Sequence, residues 1–402
     1  MIPSPETLAR QMAETLETYP HTRRLDAFDP PGYPLQRALL LEGPPVDGRP
    51  TGAFAYLGIP TGPAPVPAVV LVHGGGGVAF PQWVDEWNRR GYAAIAFCHT
   101  GYRPPDGGDP LPETDAGWTR EPLPGCSWLP GPDNDSMEHT TGPLERQWMF
   151  HAVSLTIRAH PLLRADPRMD AGRIGLAGIS WGGVAASLAL GYDRRFAFAV
   201  PVYGSACLER SLTWMGPIFS QPDTRSLWSA ADRLGEVTTP VLWLGWSSDT
   251  AFSVQAGDAS FALSPRGERA LIEHMGHNHP LGWGRPEIYR FADAAVRGGE
   301  PLVRFGEPVR ARDGRLLCPI APPVDAREVS GRLVYIREPM TFGVPPVWES
   351  LPCALSAGML AVRLPEDACG GYLEAAARCG DTVYLSTTRF FEKTEQEGFS
   401  WI

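Results

Sequence analysis

The sequence predicts an α/β protein with a mostly parallel central sheet in residues 1–300, followed by a small β-rich domain in residues 301–402. Apolar, β-branched runs at 67–74 and 92–98 are typical of strands that are buried on both faces. Helical periodicity separates such runs, and this alternation places helices on both faces of a parallel sheet. Short alternating segments between turn signals fill the last hundred residues and predict the β-rich domain.

Each element of the first domain follows from the period of its apolar residues or from the turn residues at its ends. In chain order we predict a helix at 6–18, strands at 35–43, 51–60 and 67–74, a helix at 80–91, a strand at 92–98, a helix at 144–163, a strand at 173–178, a helix at 180–191, strands at 196–204, 237–246 and 269–275, and a helix at 285–299.

Two segments interrupt this alternation. Residues 99–142 are rich in Pro, Gly and Asp, and a loop of this length in a compact domain is usually functional or disordered. Its Trp118 and Trp128 favour an ordered loop over a site. Residues 205–236 predict a small cap-like insertion over the same pocket.

Composition narrows the possible partners and compartment. The formal net charge of −10 argues against nucleic acid and against an anionic membrane surface, because both attract concentrated basic charge. No apolar run is long enough to span a bilayer, and the first twenty residues lack the pattern of a signal peptide, so we expect either a cytoplasmic location or a leader that has been removed. The seven cysteines are odd in number and form no CxxC pair, which predicts reduced thiols.

The strongest chemical signal is a G-x-S-x-G motif at 178–182, between a predicted strand and a predicted helix. Glycines two residues before and after Ser180 permit a tight turn that lifts the serine hydroxyl above the sheet edge. The same turn puts the Trp181 N–H at a helix N-terminus, where it can stabilise an oxyanion. This context is typical of the nucleophile in α/β-hydrolases, and we predict that Ser180 is the nucleophile.

A second oxyanion donor is expected from the glycine run at 74–77, which follows a buried strand. Glycines let the main chain approach a substrate closely. Gly74 and Gly75 are both candidates, and the sequence does not distinguish them. His73, at the end of the strand, is interpreted as a structural residue that braces the loop.

A serine nucleophile needs a base and an orienting acid, which follow it in the order Ser, acid, His in this fold. Asp249 comes directly after a buried strand, and it is the predicted acid. His277 follows the turn glycine Gly276 and is the predicted base. His279 is the alternative base; otherwise it is expected to line the pocket or to hydrogen-bond within its loop.

Other candidates fit less well. His274 is expected to lie within the last strand, and neither Asp258 nor Asp232 directly follows a strand. The histidines of HMGHNH lack a second cluster with ligand spacing, so no metal and no cofactor are predicted. Two tryptophans adjoin the catalytic segments, Trp181 and Trp246, and one of them is predicted to wall the substrate pocket.

Six motifs in order give the chain a family resemblance. They are VLVHGGGGVAFPQWVDEWNRRGYAAIAF, TGPLERQWMFHAV, RIGLAGISWGG, RFAFAVPVYG, VLWLGWSSDTAF and HMGHNHPLGWGRPEIYRFADA. Over residues 65–300 the chain resembles bacterial acetyl xylan esterases and dienelactone-hydrolase-like α/β-hydrolases. The resemblance implies carboxylester hydrolysis, with Ser180, Asp249 and His277 at the matching positions. Relatives carry Gly-Thr-Asn before the acid, whereas this chain has Trp-Ser-Ser at 246–248, so the pocket beside the acid is expected to differ.

These observations predict a serine esterase that acts through an acyl-enzyme on a small-molecule or carbohydrate ester with a short acyl group, acetyl above all. A prolyl-oligopeptidase-like peptidase would use the same three residues. Such peptidases usually carry a propeller or a large gating domain before the hydrolase domain, whereas only about 60 residues precede the strand at 67–74. A non-enzymatic protein that binds a glycan or a partner through residues 301–402 is the third hypothesis.

Overall fold

A mixed, mostly parallel sheet organises the first 300 residues. The computed structural model describes residues 3–63, 65–105, 121–122, 138–394 and 398–401. The strands of this part are β1 (Thr22–Arg24), β2 (Gln36–Val46), β3 (Arg49–Gly58), β4 (Val66–Val72), β5 (Ala93–Phe97), β6 (Tyr102–Arg103), β7 (Glu121–Pro122), β8 (Met169–Ile179), β9 (Ala199–Val202), β10 (Val241–Trp246) and β11 (Gly267–Ile272).

Helices cover this sheet and connect its parallel strands. They are α1 (Pro5–Glu17), α2 (Pro81–Asn88), α3 (Trp148–Ala165), α4 (Trp181–Leu190), α5 (Met215–Phe219), α6 (Pro222–Trp228), α7 (Ala231–Leu234), α8 (Val254–Leu263), α9 (His279–Trp283) and α10 (Pro286–Val296). Several begin with proline, which fits the first helical turn because its missing N–H would have no intrahelical partner there. No helix of the described residues is both long enough and apolar enough to cross a membrane.

The order of strands in the main sheet is β1-β2-β3-β5-β4-β8-β9-β10-β11. The first three strands run antiparallel, and every neighbouring pair from β5 to β11 is parallel. The register keeps the carboxyl ends level: Val72 pairs with Gly178, and Ile179 pairs with Val202. Loops that follow these strands therefore meet at one edge, where open α/β sheets bind their ligands.

The predicted elements recur with shifted boundaries. The helix predicted at 80–91 ends at Asn88, ahead of Gly91, which has a positive φ of 77°. The last strand of the sheet ends at Ile272, so the prediction that His274 lies within that strand was wrong. The His274 side chain is instead 90% exposed in the turn beyond the strand.

The two interrupting segments differ in how far the structure describes them. Residues 205–236 form the short helices α5 to α7, and Trp214 and Phe219 of this insertion pack on Trp181. Most of the predicted long loop at 99–142, with Trp118 and Trp128, lies outside the described residues.

The C-terminal region consists of two further sheets. Its strands are β12 (Arg304–Phe305), β13 (Val309–Arg310), β14 (Arg315–Ala321), β15 (Glu328–Ile336), β16 (Glu349–Pro352), β17 (Ala354–Ser356), β18 (Met359–Arg363), β19 (Gly370–Cys379), β20 (Thr382–Thr387), β21 (Phe391–Thr394) and β22 (Gly398–Trp401). Strands β12, β13, β14, β17 and β18 form one sheet, and the others form the second. Leu316 and Leu360 of the first sheet share a buried cluster with Leu333 and Leu373 of the second, so the sheets pack face to face.

This β-rich domain packs against β11, the last strand of the main sheet, and against helix α8. A second buried cluster joins Val254 and Leu271 of the main domain to side chains of the C-terminal domain, namely Val334, Ile336, Tyr372 and Phe390. Beside it, the fully buried Asp258 accepts hydrogen bonds from Arg269 at 2.8 Å and from the backbone N–H of Phe390. The six described cysteines are free thiols.

Candidate active site

Ser180 occupies a tight turn between the end of β8 and the start of α4. Its φ of 56° is in the region that non-glycine residues rarely adopt. A side chain at Gly178 would overlap the backbone of Gly182, and one at Gly182 would overlap the carbonyl of Val72. Glycine at both positions is therefore a steric requirement of this turn, as the motif predicts.

Three polar side chains meet at the carboxyl edge of the sheet. The Ser180 Oγ lies 3.0 Å from Nε2 of His277, and Nδ1 of His277 lies 2.7 Å from Oδ2 of Asp249. Asp249 follows β10, and His277 follows β11, so both loops lie at the same carboxyl edge as the serine turn, beyond the intervening strand β9. The Asp249 side chain is 1% exposed and that of His277 is 25% exposed, which leaves the imidazole edge accessible to a reactant.

The backbone fixes which Asp249 oxygen faces the histidine. Oδ1 accepts the N–H groups of Ala251 and Phe252 at 2.8 and 2.9 Å. Oδ2 is thereby left to accept the proton of Nδ1 of His277, so Nε2 of that ring presents a lone pair to the Ser180 hydroxyl. In this tautomer the histidine can act as a base toward the serine.

The rival acids lie elsewhere. Asp258 on α8 is fully buried and is engaged by Arg269 and by the Phe390 backbone. Asp232 belongs to the short helix α7 of the insertion.

The predicted oxyanion donors Trp181 and Gly74 lie next to Ser180, but they are not equivalent. Trp181 is the first residue of α4, so its N–H has no intrahelical partner. The Gly74 N–H donates instead to Nε2 of His279 at 2.8 Å. Gly75 is therefore the candidate that this arrangement favours. Gly74 still requires its missing side chain, because a Cβ there would come within 2.9 Å of the Ser180 Cβ.

His279 contributes to the loop rather than to the Ser180–Asp249 chain of contacts. It is 4% exposed, packs against Phe80 with ring centroids 4.6 Å apart, and accepts the Gly74 N–H. Of the two sequence hypotheses for this histidine as a non-base, hydrogen bonding within the site's loops fits these contacts. A direct substrate contact by His279 stays a prediction.

Two further histidines, His73 and His99, hold the strand end that leads into the glycine loop. The rings of His73 and His99 stack with centroids 3.8 Å apart, and Nε2 of His99 donates to the His73 carbonyl at 2.8 Å. Nδ1 of His99 accepts the indole N–H of Trp148 at 3.1 Å, which fixes the neutral tautomer. The strand end before the glycines is thus held by hydrogen bonds and stacking.

Aromatic rings that the sequence reasoning did not single out surround the base. Tyr203 stacks on His277 with centroids 4.3 Å apart, and Phe252 stacks at 5.8 Å. The Tyr203 hydroxyl also donates to the Asn278 carbonyl, next to the base. An aromatic residue directly after a strand of the parallel sheet, as Tyr203 is after β9, was the available signal.

The two predicted pocket tryptophans have different surroundings. Trp181 is 5% exposed and packs among Trp148, Trp214, Phe219 and Phe252, with ring centroids 5.6–6.3 Å apart. Trp246 donates its indole N–H to the Glu273 carbonyl at 3.1 Å and ties the end of β10 to the turn before His277. Trp246 as a wall of the pocket stays a prediction.

Buried histidines predict a loss of stability in mild acid. Burial penalises the charged imidazole and lowers the pKa of His99, His151 and His160 to about 4 each. In the unfolded chain histidine titrates near 6.5, so between these values the unfolded state binds protons that the native state does not. We expect the free energy of unfolding to fall as the pH is lowered from 7 to 5, with a slope that approaches about 1.4 kcal/mol per pH unit for each such histidine once the pH is below the unfolded-state pKa.

Urea denaturation at pH 7, 6 and 5 measures this effect, above the range in which most carboxylates titrate. His274→Gln removes an exposed imidazole and serves as the matched control, which should keep the wild-type slope. A free energy of unfolding that is constant between pH 7 and 5 would contradict the prediction.

Among the comparisons with known proteins, only structural superposition finds similar proteins, and it supports the fold. No protein-family model matches the chain, and no curated protein matches it. An acetyl xylan esterase from Paenibacillus sp. R4 superposes with a TM-score of 0.52 and 20% identity, over 73% of this chain and 94% of its own. Acetyl xylan esterase 1 from Thermoanaerobacterium sp. gives 0.50 and 13%, over 71% and 92%.

A puromycin-hydrolysing peptidase from Mycobacterium tuberculosis also matches, with a TM-score of 0.45 and 19% identity over 71% of this chain and 40% of its own. Likeness at such identities establishes architecture and not chemistry. The strand order, the turn at Ser180 and the two acetyl xylan esterase superpositions agree with the resemblance drawn from the sequence. The chain has the α/β-hydrolase fold, extended by a C-terminal β-rich domain.

Proposed function

We propose that this protein is a serine carboxylester hydrolase that cleaves short-chain acyl esters through an acyl-enzyme. The observation that carries the proposal is the contact chain from Ser180 Oγ to His277 at 3.0 Å and from His277 to Asp249 at 2.7 Å. This arrangement activates a serine for acyl transfer: the hydroxyl faces the unprotonated imidazole nitrogen, and the protonated nitrogen faces a buried carboxylate.

In the first half of the reaction the Ser180 oxygen attacks the ester carbonyl while Nε2 of His277 takes its proton. Asp249 stabilises the resulting imidazolium and holds its orientation. The N–H groups of Trp181 and Gly75 bind the tetrahedral oxyanion. His277 then gives its proton to the departing alcohol, which leaves Ser180 acylated.

In the second half water attacks the acyl-enzyme, with His277 as the base and the same two N–H groups at the oxyanion. Collapse of the second tetrahedral intermediate breaks the bond to Ser180 and returns the proton to its oxygen. The carboxylic acid is released, and the enzyme returns to its starting state without a metal or a cofactor in any step.

Two observations support a short acyl group. The rings of Trp148, Trp214, Phe219 and Phe252 pack around Trp181, the residue after the nucleophile, and we infer that this packing leaves little room for a long acyl chain on that side. The two best-superposing structures described above are acetyl xylan esterases, which makes acetyl the first acyl group to test and acetylated carbohydrate the first natural class of alcohol.

Turnover of p-nitrophenyl acetate, butyrate and octanoate by the wild-type protein tests this function. We expect kcat/KM to be highest for acetate and to fall by at least tenfold from acetate to octanoate, because each added methylene must be accommodated among packed rings. Labelling with a fluorophosphonate and mass spectrometry of the peptide that contains Ser180 give an independent readout of the nucleophile.

The peptidase hypothesis predicts a different result with the same preparation. A peptidase would cleave aminoacyl-proline or aminoacyl p-nitroanilides with a kcat/KM that exceeds the value for acetate esters. Octanoate turnover above acetate turnover would contradict the short-acyl proposal, and folded wild-type protein without turnover of any ester would contradict ester hydrolysis.

A further inference from the structure

The loop that carries Asp249 is contacted by the C-terminal domain. The indole N–H of Trp348 donates to the Ser248 Oγ at 3.0 Å, one residue before the acid. The segment that leads to Trp348 lines a narrow crevice together with the acid loop: Met340, Phe342 and Val344 form one side, and Asp249 and Thr250 belong to the other. The acid loop of the hydrolase domain is therefore bounded by residues from beyond position 301.

Trp348 is itself held in place. Its ring meets those of Tyr372 and Phe390 with centroids 5.4 and 6.1 Å apart. Tyr372 and Phe390 are fully buried, and they belong to the cluster that packs on Val254 and Leu271 of the main domain. Since packed interiors have little free volume, the indole presents a fixed donor to Ser248.

The C-terminal domain makes further contacts beside both the loop of Asp249 and the loop of His277. Gln255, in the first turn of α8 after the acid loop, donates to Glu392 at 3.0 Å. Arg332 of β15 lies 3.0 Å from the carboxylate of Glu273, in the turn that leads from β11 to His277. The loops of the acid and of the base are thus both attached to residues of the C-terminal domain.

We propose that the C-terminal domain is a part of the catalytic apparatus and that Trp348 is a positioning residue, which holds Asp249 in register with His277 through its hydrogen bond to Ser248. The inference rests on the proposed function of the same site. Asp249 and His277 lie beyond the last paired residues of β10 and β11, Trp246 and Ile272, so strand pairing does not reach them. A misplacement of about 1 Å in such a contact lowers rates by up to 10²-fold.

The test uses the full chain and a double-mutant cycle on this hydrogen bond. Trp348→Phe removes the donor and keeps an aromatic ring, and Ser248→Ala removes the acceptor without altering the C-terminal domain. We expect each to lower kcat on p-nitrophenyl acetate by about tenfold with KM unchanged within about twofold, which marks a group that acts on the transition state and not on binding. The double variant should lose no more than either single variant, because both remove one interaction.

The matched control is Trp243→Phe, which removes an equivalent indole N–H bond of 2.9 Å, to Ser264 at the far end of α8. It should lower thermal stability and leave kcat unchanged. Proton NMR of the hydrogen-bonded Nδ1–H of His277 adds a spectroscopic readout: its downfield resonance should weaken or shift in Trp348→Phe and in Ser248→Ala, but not in the control.

The possible outcomes separate this inference from the proposed function. Turnover that survives Ser180→Ala refutes the proposed function. If Ser180→Ala is inactive, the positioning role is overturned by folded Ser248→Ala and Trp348→Phe proteins with wild-type kcat, by a rise in KM alone, or by fully additive losses in the double variant. Should Trp348→Phe fail to fold, kcat and the resonance of Ser248→Ala decide.

Discussion

Ser180→Ala is expected to lower kcat for ester hydrolysis by roughly 10⁵- to 10⁶-fold, which is the scale observed when a serine nucleophile is removed. The loss is chemical and not structural. Alanine retains the Cβ that packs against Gly74 and can adopt the same backbone conformation, and the orphaned Nε2 of His277 is accessible to water because that side chain is 25% exposed. The variant should therefore unfold at a wild-type temperature and resist labelling by a fluorophosphonate.

Ser187→Ala is the matched control for this variant. Ser187 lies on α4, the helix that follows Ser180, and its hydroxyl donates to the Gly183 carbonyl at 2.7 Å. It should keep wild-type turnover and wild-type labelling. Residual turnover above about 1% in Ser180→Ala, with a normal melting temperature, would show that another group performs the attack.

The fold class was accessible from the sequence because its signals are local. A strand buried on both faces reads as a continuous apolar run, and β4 and β5 are buried along almost their whole length. The turn at Ser180 is equally local, since overlap with the neighbouring backbone excludes any side chain at Gly178 and Gly182. The fold prediction, including a β-rich C-terminal domain, is confirmed.

Contacts between segments that are far apart in the chain could not be predicted from such local patterns. Nothing near Gly74 in the chain indicates that its N–H pairs with His279, 205 residues later. Trp348 and Ser248 are 100 residues apart in two domains, and the alternating pattern of the C-terminal strands predicts a sheet without predicting what the sheet packs on. Strand boundaries also depend on such packing, which explains why His274 was placed in a strand that ends at Ile272.

The glycine loop illustrates both kinds of information. Its run of glycines predicts close approach to a reactant, which stays a prediction. The structure shows a separate requirement, because a Cβ at Gly74 would come within 2.9 Å of the Ser180 Cβ. Which glycine offers its N–H depends on His279, whose ring nitrogen already accepts the Gly74 N–H. The choice between Gly74 and Gly75 is thus a tertiary property, and it favours Gly75.

Asp249→Asn is expected to lower kcat by about 10³- to 10⁴-fold while KM changes less than threefold. The reason lies in the donors around the side chain. The N–H groups of Ala251 and Phe252 both point at Oδ1, so the asparagine carbonyl oxygen must stay there and accept them. Its NH₂ group then faces Nδ1 of His277, which can accept this hydrogen only by giving up its own proton.

The proton consequently moves to Nε2 of His277, which becomes a donor toward Ser180 and can no longer act as the base. The asparagine variant should fold, because it preserves the two backbone hydrogen bonds and the shape of a side chain that is only 1% exposed. Asp232→Asn is the matched control: it alters a carboxylate that also follows Ser180 in the chain but belongs to α7, and it should retain wild-type kcat. Comparable kcat values for Asp249→Asn and the wild type would show that another group orients His277, whereas loss confined to Asp249→Asn would identify the carboxylate by its effect on the tautomer.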